Sequence, residues 1–336
     1  MRNYRQAAVL LASALLLSAC SPDLREVEAP SGTVKPQPTQ SAAPVLDEAR
    51  IQRVVDEVQE VILRADAEQD PKVLQERLTA GALALRTGQI EKAVKTGTEI
   101  PPLDIQINVA SATVSDSWPR VLLVGSAAAS DDPAEVFIFS QADAQSDYML
   151  ENWVRALGGN SVRGVAVEDG SKVLKPDAHG FRYSPEEALD LYIKYINDPK
   201  STDAFDDNTF APYVRDEQKQ LKESVKDLGT VTSSAALADY PVTGVELATG
   251  EALVATSFTY SDVYARTVAG STMTLGGTAA AYLTDPNVIG TVTVNYVVNV
   301  FFTIPPSDSK DPIRIVGSER AITNVTRDDN AKPAGE

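Results

Sequence analysis

The feature that most constrains the fold is the order in which the hydrophobic period changes along the chain. Residues 47–67 place apolar side chains at helical spacing, whereas after Pro101-Pro102 apolar and polar residues alternate as in a half-buried strand. The helical stripe consists of Ile51, Val55, Val58 and Ile62. Helices followed by strands favour an α+β unit, in which an antiparallel sheet packs on helices. A chain of 336 residues is long enough for two such units.

The first half is predicted to place its helices before its strands. After the helix over 47–67, shorter helices are expected within 72–95, interrupted at Gly81 and Gly88 and stopped at Gly97. Strands are predicted over 103–109, 120–126, 135–140 and 148–157.

The second half repeats that order. The tetrapeptide at 184–187, Ser-Pro-Glu-Glu, is typical of a helix start, with Ser184 as the N-cap and Glu187 as its capping-box partner. A further helix is predicted over 213–228, ending at Gly229. Strands are predicted over 242–248, 252–264, 272–283, 291–304 and 313–325.

The two halves also show weak self-similarity. Three apolar pairs share a spacing of 131 residues, namely Leu83 with Val214, Ile90 with Leu221 and Val94 with Val225. This similarity is too weak to demonstrate a repeat. A single mixed domain, or a β-rich second half of another topology, is the alternative that the pattern leaves open.

The first twenty residues carry the features of a secretory leader. Arg2 and Arg5 precede an apolar run over 7–17, which fits the core of a signal peptide but is too short to span a bilayer. The run ends in Leu17-Ser18-Ala19-Cys20, which resembles the lipobox of bacterial lipoproteins. The resemblance implies that type II signal peptidase cleaves before Cys20 and that this cysteine carries a diacylglyceryl anchor with acyl chains such as palmitate. An idle cysteine in an ordinary signal peptide is the alternative.

The segment that follows the lipobox is typical of a tether. Residues 20–44 are rich in proline and small polar residues, and they cannot bury enough apolar surface to offset the entropy of ordering. A proline-rich ligand for an SH3-type domain is the competing interpretation. Because two acyl chains hold a membrane firmly, we expect the protein on the extracytoplasmic face of the cell membrane. The expected segments are a signal peptide over 1–19, a lipidated tether over 20–44, α+β units over 45–175 and 181–327, and a disordered tail over 328–336.

The order helix, helix, strands resembles the cone-shaped fold of nuclear-transport-factor-2-like and cystatin-like proteins. The chain also resembles a group of actinobacterial lipoproteins of unknown function that carry two such units. Besides the lipobox and the tether, the resemblance rests on Tyr148 with Trp153-Val154-Arg155, and on Tyr296-Val297-Val298. It implies two tandem cone-shaped units, but a fold by itself does not carry a function.

Composition excludes several classes of function. The formal charge of −17 argues against a nucleic-acid-binding surface, which needs clustered Lys and Arg. One cysteine and one histidine exclude an internal disulfide and any metal site or mechanism that needs two of either. The sequence has neither a nucleophile-elbow motif nor a glycine-rich phosphate loop. We therefore predict no catalytic residues, no cofactor and no metal.

The remaining titratable candidates have simpler explanations. His179 lies between the two halves among turn-forming residues, where an exposed loop is expected. The acidic pairs 131–132, 206–207 and 328–329 lack the alternating ligands and the glycine of a calcium loop, which favours solvated turns. Asp206 or Asp207 is a candidate cap for the helix that follows.

Tyrosines of the second half are the main ambiguity. Five of them lie on or beside predicted strands, at Tyr240, Tyr260, Tyr264, Tyr282 and Tyr296. Tyrosine lines binding clefts, but it is also a favourable strand residue, and sheet packing is the favoured interpretation.

These features predict a non-catalytic binding or protein-interaction role in the cell envelope. The expected partners are the membrane, through Cys20, and an envelope protein or small ligand. The alternative is an isomerase- or dehydratase-like enzyme that uses an Asp/Tyr pair inside a cone. A spacer without a pocket is the third hypothesis, which would require both cones to be filled by their own side chains.

Overall fold

A computed structural model describes residues 44–114, 117–128, 133–158, 162–206 and 210–334. The lipobox with Cys20, and the tether up to residue 43, lie outside the described residues. The described residues belong to one compact unit, which contains helices and antiparallel sheets. The predicted α+β class is therefore confirmed.

The helices are α1 (Glu48–Glu68), α2 (Ala80–Thr96), α3 (Pro185–Asn197), α4 (Phe210–Val225) and α5 (Gly277–Ala280), with a 3₁₀ helix over Pro71–Glu76. The strands of the first half are β1 (Val109–Ala112), β2 (Arg120–Gly125), β3 (Glu135–Gln141) and β4 (Met149–Arg155). The strands of the second half are β5 (Val173–Leu174), β6 (Gly229–Ala236), β7 (Thr243–Glu246), β8 (Ala252–Arg266), β9 (Met273–Thr274), β10 (Asn287–Val288), β11 (Thr291–Ile304) and β12 (Arg314–Asp328).

The first sheet is an antiparallel meander in the order β1-β2-β3-β4. Core-facing residues of its strands, including Phe137, Leu150 and Trp153, share a core with the apolar stripes of α1 and α2. A register shift between β3 and β4 accounts for Leu150 and Trp153 facing the same side although they are three residues apart. The helix α1, predicted over 47–67, has Asp47 as its N-cap, and the Asp47 side chain accepts from the Arg50 amide.

The second sheet has the order β12-β11-β8-β7-β5, and β6 also pairs with β8. Its inner face packs on α3 and α4 through residues such as Phe258, Val298 and Phe302. The start of α3 has the predicted capping box between Ser184 and Glu187. The opposite face meets the first sheet, because Leu253, Phe301 and Val316 share an apolar cluster with Val121 and Ile138. The second sheet therefore has α3 and α4 on one face, and the first sheet together with α2 on the other.

The predicted interruptions of α2 are wrong. The helix continues through Gly81 and Gly88 and ends at Gly97, which adopts the left-handed conformation expected of a stop. A Cβ atom on Gly81 would lie 1.9 Å from the Ser257 Oγ, and one on Gly88 would lie 2.6 Å from the Ile322 carbonyl oxygen. These glycines bring α2 close to the second sheet.

The strand predicted over 103–109 is also wrong, although its alternation is real. Leu103 and Ile105 are buried while Asp104 and Gln106 are exposed, but the ladder begins only at Val109. The side chain of Gln59 takes the place of a neighbouring strand, donating to the Leu103 carbonyl and accepting from the Ile105 amide. A helix residue thus satisfies the backbone that a ladder would otherwise pair.

The second half differs from prediction at three places. Helix α4 begins at Phe210 and ends at Val225, and Gly229 starts the strand β6 rather than capping the helix. The strand predicted over 272–283 is replaced by the short strand β9 and the helix α5. Strand β6 was missed because its Ser/Thr-rich sequence lacks the regular apolar alternation of a half-buried strand.

Candidate functional site

The candidate site lies on the inner face of the second sheet, where α4 packs on β6 and β12. Side chains alternate along β8, so Tyr260, Asp262 and Tyr264 point to the same face. Tyr296 of β11 lies opposite Tyr260, with the two ring centroids 5.9 Å apart. The structure thus brings together three of the five tyrosines that the sequence singled out.

The other two tyrosines differ from each other in their surroundings. Tyr282 packs against the same apolar cluster beside β9 and α5 as Tyr264 and Tyr296, and Lys95 lies 5.0 Å from its ring centroid. Tyr240 packs against the core of the first half instead. It is therefore not part of the site.

Asp262 is the buried acid of this face. Asp262 is only 2% exposed, and its Oδ1 accepts a hydrogen bond of 2.5 Å from the Ser233 hydroxyl of the neighbouring strand β6. Burial raises the pKa of the Asp262 carboxyl, and the hydroxyls of Ser233 and Tyr260 offset part of that rise. No cation in the described chain forms an ion pair with this carboxyl within 4.0 Å.

The tyrosine hydroxyls around Asp262 are held in their neutral form. Burial raises the pKa of Tyr264 to about 12, and the nearby Asp262 and Glu217 charges contribute to the rise. Burial is also the main cause that raises the pKa of Tyr296, and the charge of Asp262 adds to that rise. The Tyr260 hydroxyl accepts from the Gln218 side chain of α4 at 3.0 Å. At neutral pH these groups therefore serve as hydrogen-bonding groups.

Arg320 of β12 connects this face to solvent. Its Nη2 lies 2.7 Å from the Glu217 carboxylate of α4, and its guanidinium is 5.3 Å from the Tyr296 ring centroid. Among the residues that the structure describes, its buried Nη1 atom has no hydrogen-bond partner. An unpaired buried donor is costly, so this atom marks a position where a ligand acceptor would be stabilised.

A cleft of about 490 Å³ opens onto Arg320 and Tyr296. Its walls come from α2, the end of β4, α4 and β12. Its volume lies within the usual range of small-molecule sites. The charged lining residues balance in sign and are Lys92, Arg155, Arg320, Glu99, Glu217 and Glu319. The cleft is therefore close to neutral in a chain whose formal charge is −17.

The sequence-predicted loop candidates do not join this site. His179 is exposed in a loop, as predicted. Asp328 ends β12 and accepts from the Asn330 amide, while Asp329 pairs with Arg327. Asp206 is half-buried, and Asp131, Asp132 and Asp207 lie outside the described residues. Within the described ranges, no group of three or more His, Cys, Asp or Glu side chains could hold a metal ion.

Sequence reasoning missed Asp262, Glu217 and Arg320. The acidic pairs drew attention because they are adjacent, whereas Asp262 is a single acid within a strand. The sequence did contain an indication of this site. Asp262 follows Phe258 and Tyr260 at even spacing along one strand, so it lies on the same core-facing side as those two buried residues. A charged residue at a core-facing strand position indicates a buried polar site.

No family model, curated protein or solved structure matches this chain. Among residues 44–334, as far as they are described, no helix has the length and apolar character that crossing a bilayer requires.

Proposed function

We propose that this protein is a membrane-anchored extracytoplasmic lipoprotein that binds a small neutral polar molecule without transforming it. The observation that carries the binding role is the unpaired Nη1 of Arg320 at the cleft. The anchoring role rests on the Leu17-Ser18-Ala19-Cys20 lipobox. The two parts of the proposal are tested separately.

The anchor is tested with the variant Cys20→Ala in a bacterial host fed an alkyne-tagged palmitate. The wild-type protein is expected to incorporate the label and to sediment with membranes, whereas the variant incorporates none because the chain has no second cysteine. An unmodified cysteine at the mature N-terminus, found by mass spectrometry, would show that this part of the proposal is wrong.

The finer fold assignment, two tandem cone-shaped units, belongs to the same proposal. It is supported by a feature that both halves share: the residue run between the two helices forms a parallel bridge to the last strand. Leu78, before α2, bridges Leu150 of β4, and Phe205, before α4, bridges Ile313, the residue before β12. Two helices packed on an antiparallel sheet, with this bridge at equivalent places, favour duplication of one unit.

The charge of the cleft selects its ligand. Glu217 already neutralises Arg320, and the other lining charges balance. A full negative charge would compete with Glu217, so a carbonyl or hydroxyl oxygen is the better acceptor for the free Nη1. The Tyr296 ring beside it offers an apolar surface for the body of such a molecule.

Binding is tested by ligand-observed NMR with acetamide, N-acetylglucosamine and cyclohexanone as probes. At least one probe should show saturation transfer from the wild type, and Arg320→Met should abolish it. Arg327→Met is the control, because Arg327 pairs with Asp329 and does not line the cleft. Equal transfer from both variants would contradict a role for Arg320.

An enzyme is the second candidate, because Asp262 lies buried beside Tyr260 with a raised pKa. The carboxyl does not line the cleft, which favours binding over catalysis. The enzyme candidate predicts that the protein exchanges the α-protons of cyclohexanone with deuterated water and that Asp262→Asn loses this activity. Exchange at the buffer rate with both proteins would leave binding as the function.

A further inference from the structure

Strand β6 forms an edge of the second sheet. Among the described residues its ladder partner is β8, from Gly229 opposite Arg266 to Ala236 opposite Thr259. The Arg266 amide donates to the Gly290 carbonyl, on the β11 side of β8. The hydrogen-bonding direction alternates along a strand. The residue of β6 opposite Arg266 therefore turns its backbone groups away from β8, and so does every second residue of β6 after it. These outward-facing residues are Gly229, Val231, Ser233 and Ala235.

One end of this edge is closed by the protein itself. The Asn197 side chain at the end of α3 donates to the Ala235 carbonyl at 2.9 Å and accepts from the Ala235 amide at 2.8 Å. It imitates a paired strand residue. In the described part of the chain, the backbone groups of Val231 and Ser233 have no such partner. The open stretch therefore runs from Gly229 to Ser233.

The open stretch lacks the features that usually protect an edge strand. Its sequence in β6, GTVTSSAA, has no lysine, no proline and no charge, and its pairing with β8 has no bulge. The side chains of Thr230 and Thr232 are exposed on the outer face. An unprotected edge of this kind is a template for adding a strand.

We propose that a second copy of this chain pairs with β6, antiparallel, about a two-fold axis at Val231. In this register Val231 pairs with Val231 of the partner subunit, and Gly229 pairs with Ser233 of the partner subunit. Each pair exchanges its N–H and C=O groups, so the outward groups of the open stretch are satisfied on both copies. Thr230 then lies opposite Thr232 of the partner subunit.

Two observations favour a second copy over a foreign strand. The open stretch has a nearly symmetric sequence about Val231, with a threonine on each side and the small residues Gly229 and Ser233 at its ends. It is also free of charge in a chain whose formal charge is −17, so two copies can meet there without opposing like charges. The inference goes beyond the proposed ligand binding and does not depend on it.

Disulfide trapping tests the contact and its register. The full chain with Cys20→Ala has no thiol, so Thr230→Cys and Thr232→Cys can each be introduced as the one cysteine. Non-hydrogen-bonded pairs in antiparallel sheets have Cα atoms about 4.5 Å apart, which a disulfide can bridge. Mixing the two variants in detergent and oxidising them should give a covalent dimer of twice 35.9 kDa, whereas each variant alone should not.

A mixture of Thr230→Cys with Thr259→Cys is the control, because Thr259 is exposed on β8 rather than on the edge. Equal trapping in the control, or no dimer from the Thr230/Thr232 mixture, would overturn the proposal. Strong trapping of Thr230→Cys alone would overturn the register.

Charge exchange gives an independent test by sedimentation equilibrium. Thr230→Lys combined with Thr232→Lys places like charges opposite each other twice, and should weaken the dimer about tenfold. Thr230→Lys combined with Thr232→Glu places opposite charges there instead, and should restore it. A wild type that stays monomeric throughout the measured concentrations, or two variants that behave alike, would contradict pairing through β6.

Discussion

The inner faces of the two sheets differ in what fills them. In the first half the face beneath α1 and α2 is mostly apolar, with Phe137, Leu150 and Trp153 fully buried and the Phe137 and Trp153 rings stacked. The Trp153 Nε1 and the Tyr148 hydroxyl are buried there without a hydrogen-bond partner in the described part of the chain. In the second half the face beneath α4 carries a buried acid, three tyrosines and an arginine with an unpaired donor. The same arrangement of helices on a sheet therefore forms a core in one half and a polar site in the other.

This contrast separates stability from function within one fold. Apolar side chains fill the first inner face, so the hypothesis of a spacer with two filled cones depends on the second. Buried polar atoms without a partner occur in both halves, but the unpaired Nη1 of Arg320 belongs to a residue that also lines a cleft, which makes the second inner face the candidate site. We therefore expect substitutions in the first half to act on stability and those around Arg320 to act on binding.

The largest expected effect is from Trp153→Ala in the first core. Removing a fully buried indole leaves a cavity, and the free energy of unfolding should fall by about 3–5 kcal/mol. Urea unfolding measures the loss. Tyr296→Phe, which keeps the ring in the second half, should change stability by less than about 1 kcal/mol. Equal losses for the two variants would break the comparison.

The half-buried carboxylate of Asp66 offers the next test. Asp66 of α1 pairs with the Arg86 guanidinium, which is fully buried and also donates to Gln89 and the Pro101 carbonyl. Asp66→Ala leaves that cation buried without its anion, and should cost about 3 kcal/mol by urea unfolding. The control is Asp47→Ala at the exposed start of α1, which removes only an N-cap and should cost about 1 kcal/mol.

How far the sequence predicts this molecule depends on how local each interaction is. The capping box of α3, the stop at Gly97 and strands such as β2 and β11 follow from neighbouring residues, and those predictions are confirmed. The interruptions predicted at Gly81 and Gly88 were wrong because the atoms that require glycine there lie on β8 and β12, far away in sequence. Arg320 and Glu217 meet only after folding, so spacing along the chain could not predict the site.

A smaller effect on stability is expected from the N-caps of two helices, which form a closely matched pair of substitutions. Ser184 caps α3 with a side-chain hydrogen bond, whereas Thr79 begins α2 without one. Ser184→Ala should lower the free energy of unfolding by about 1 kcal/mol, and Thr79→Ala should leave it nearly unchanged. Thermal unfolding followed by circular dichroism measures both. A larger loss at Thr79 would show that local capping does not determine these helix starts.

The smallest expected effect is from Asp262→Asn, and it depends on pH. Burial raises the pKa of this carboxyl in the folded state, so its stability contribution is greatest below the unfolded pKa and declines as pH rises through the folded pKa. The asparagine variant avoids that decline while still accepting from Ser233. Urea unfolding from pH 4 to pH 8 should show a gain over wild type at neutral pH that disappears in acid. A gain independent of pH would contradict a buried titrating acid.

The central claim is that the polar inner face of the second half receives a ligand, and fluorine NMR of protein labelled with 3-fluorotyrosine tests it most directly. The Tyr296 signal, assigned by Tyr296→Phe, should shift saturably with the probe that binds, while the signal of Tyr148 in the first core stays in place. Arg320→Met should remove the Tyr296 response. Uniform shifts of all tyrosines, or a Tyr296 signal that none of the three probes moves, would contradict the claim.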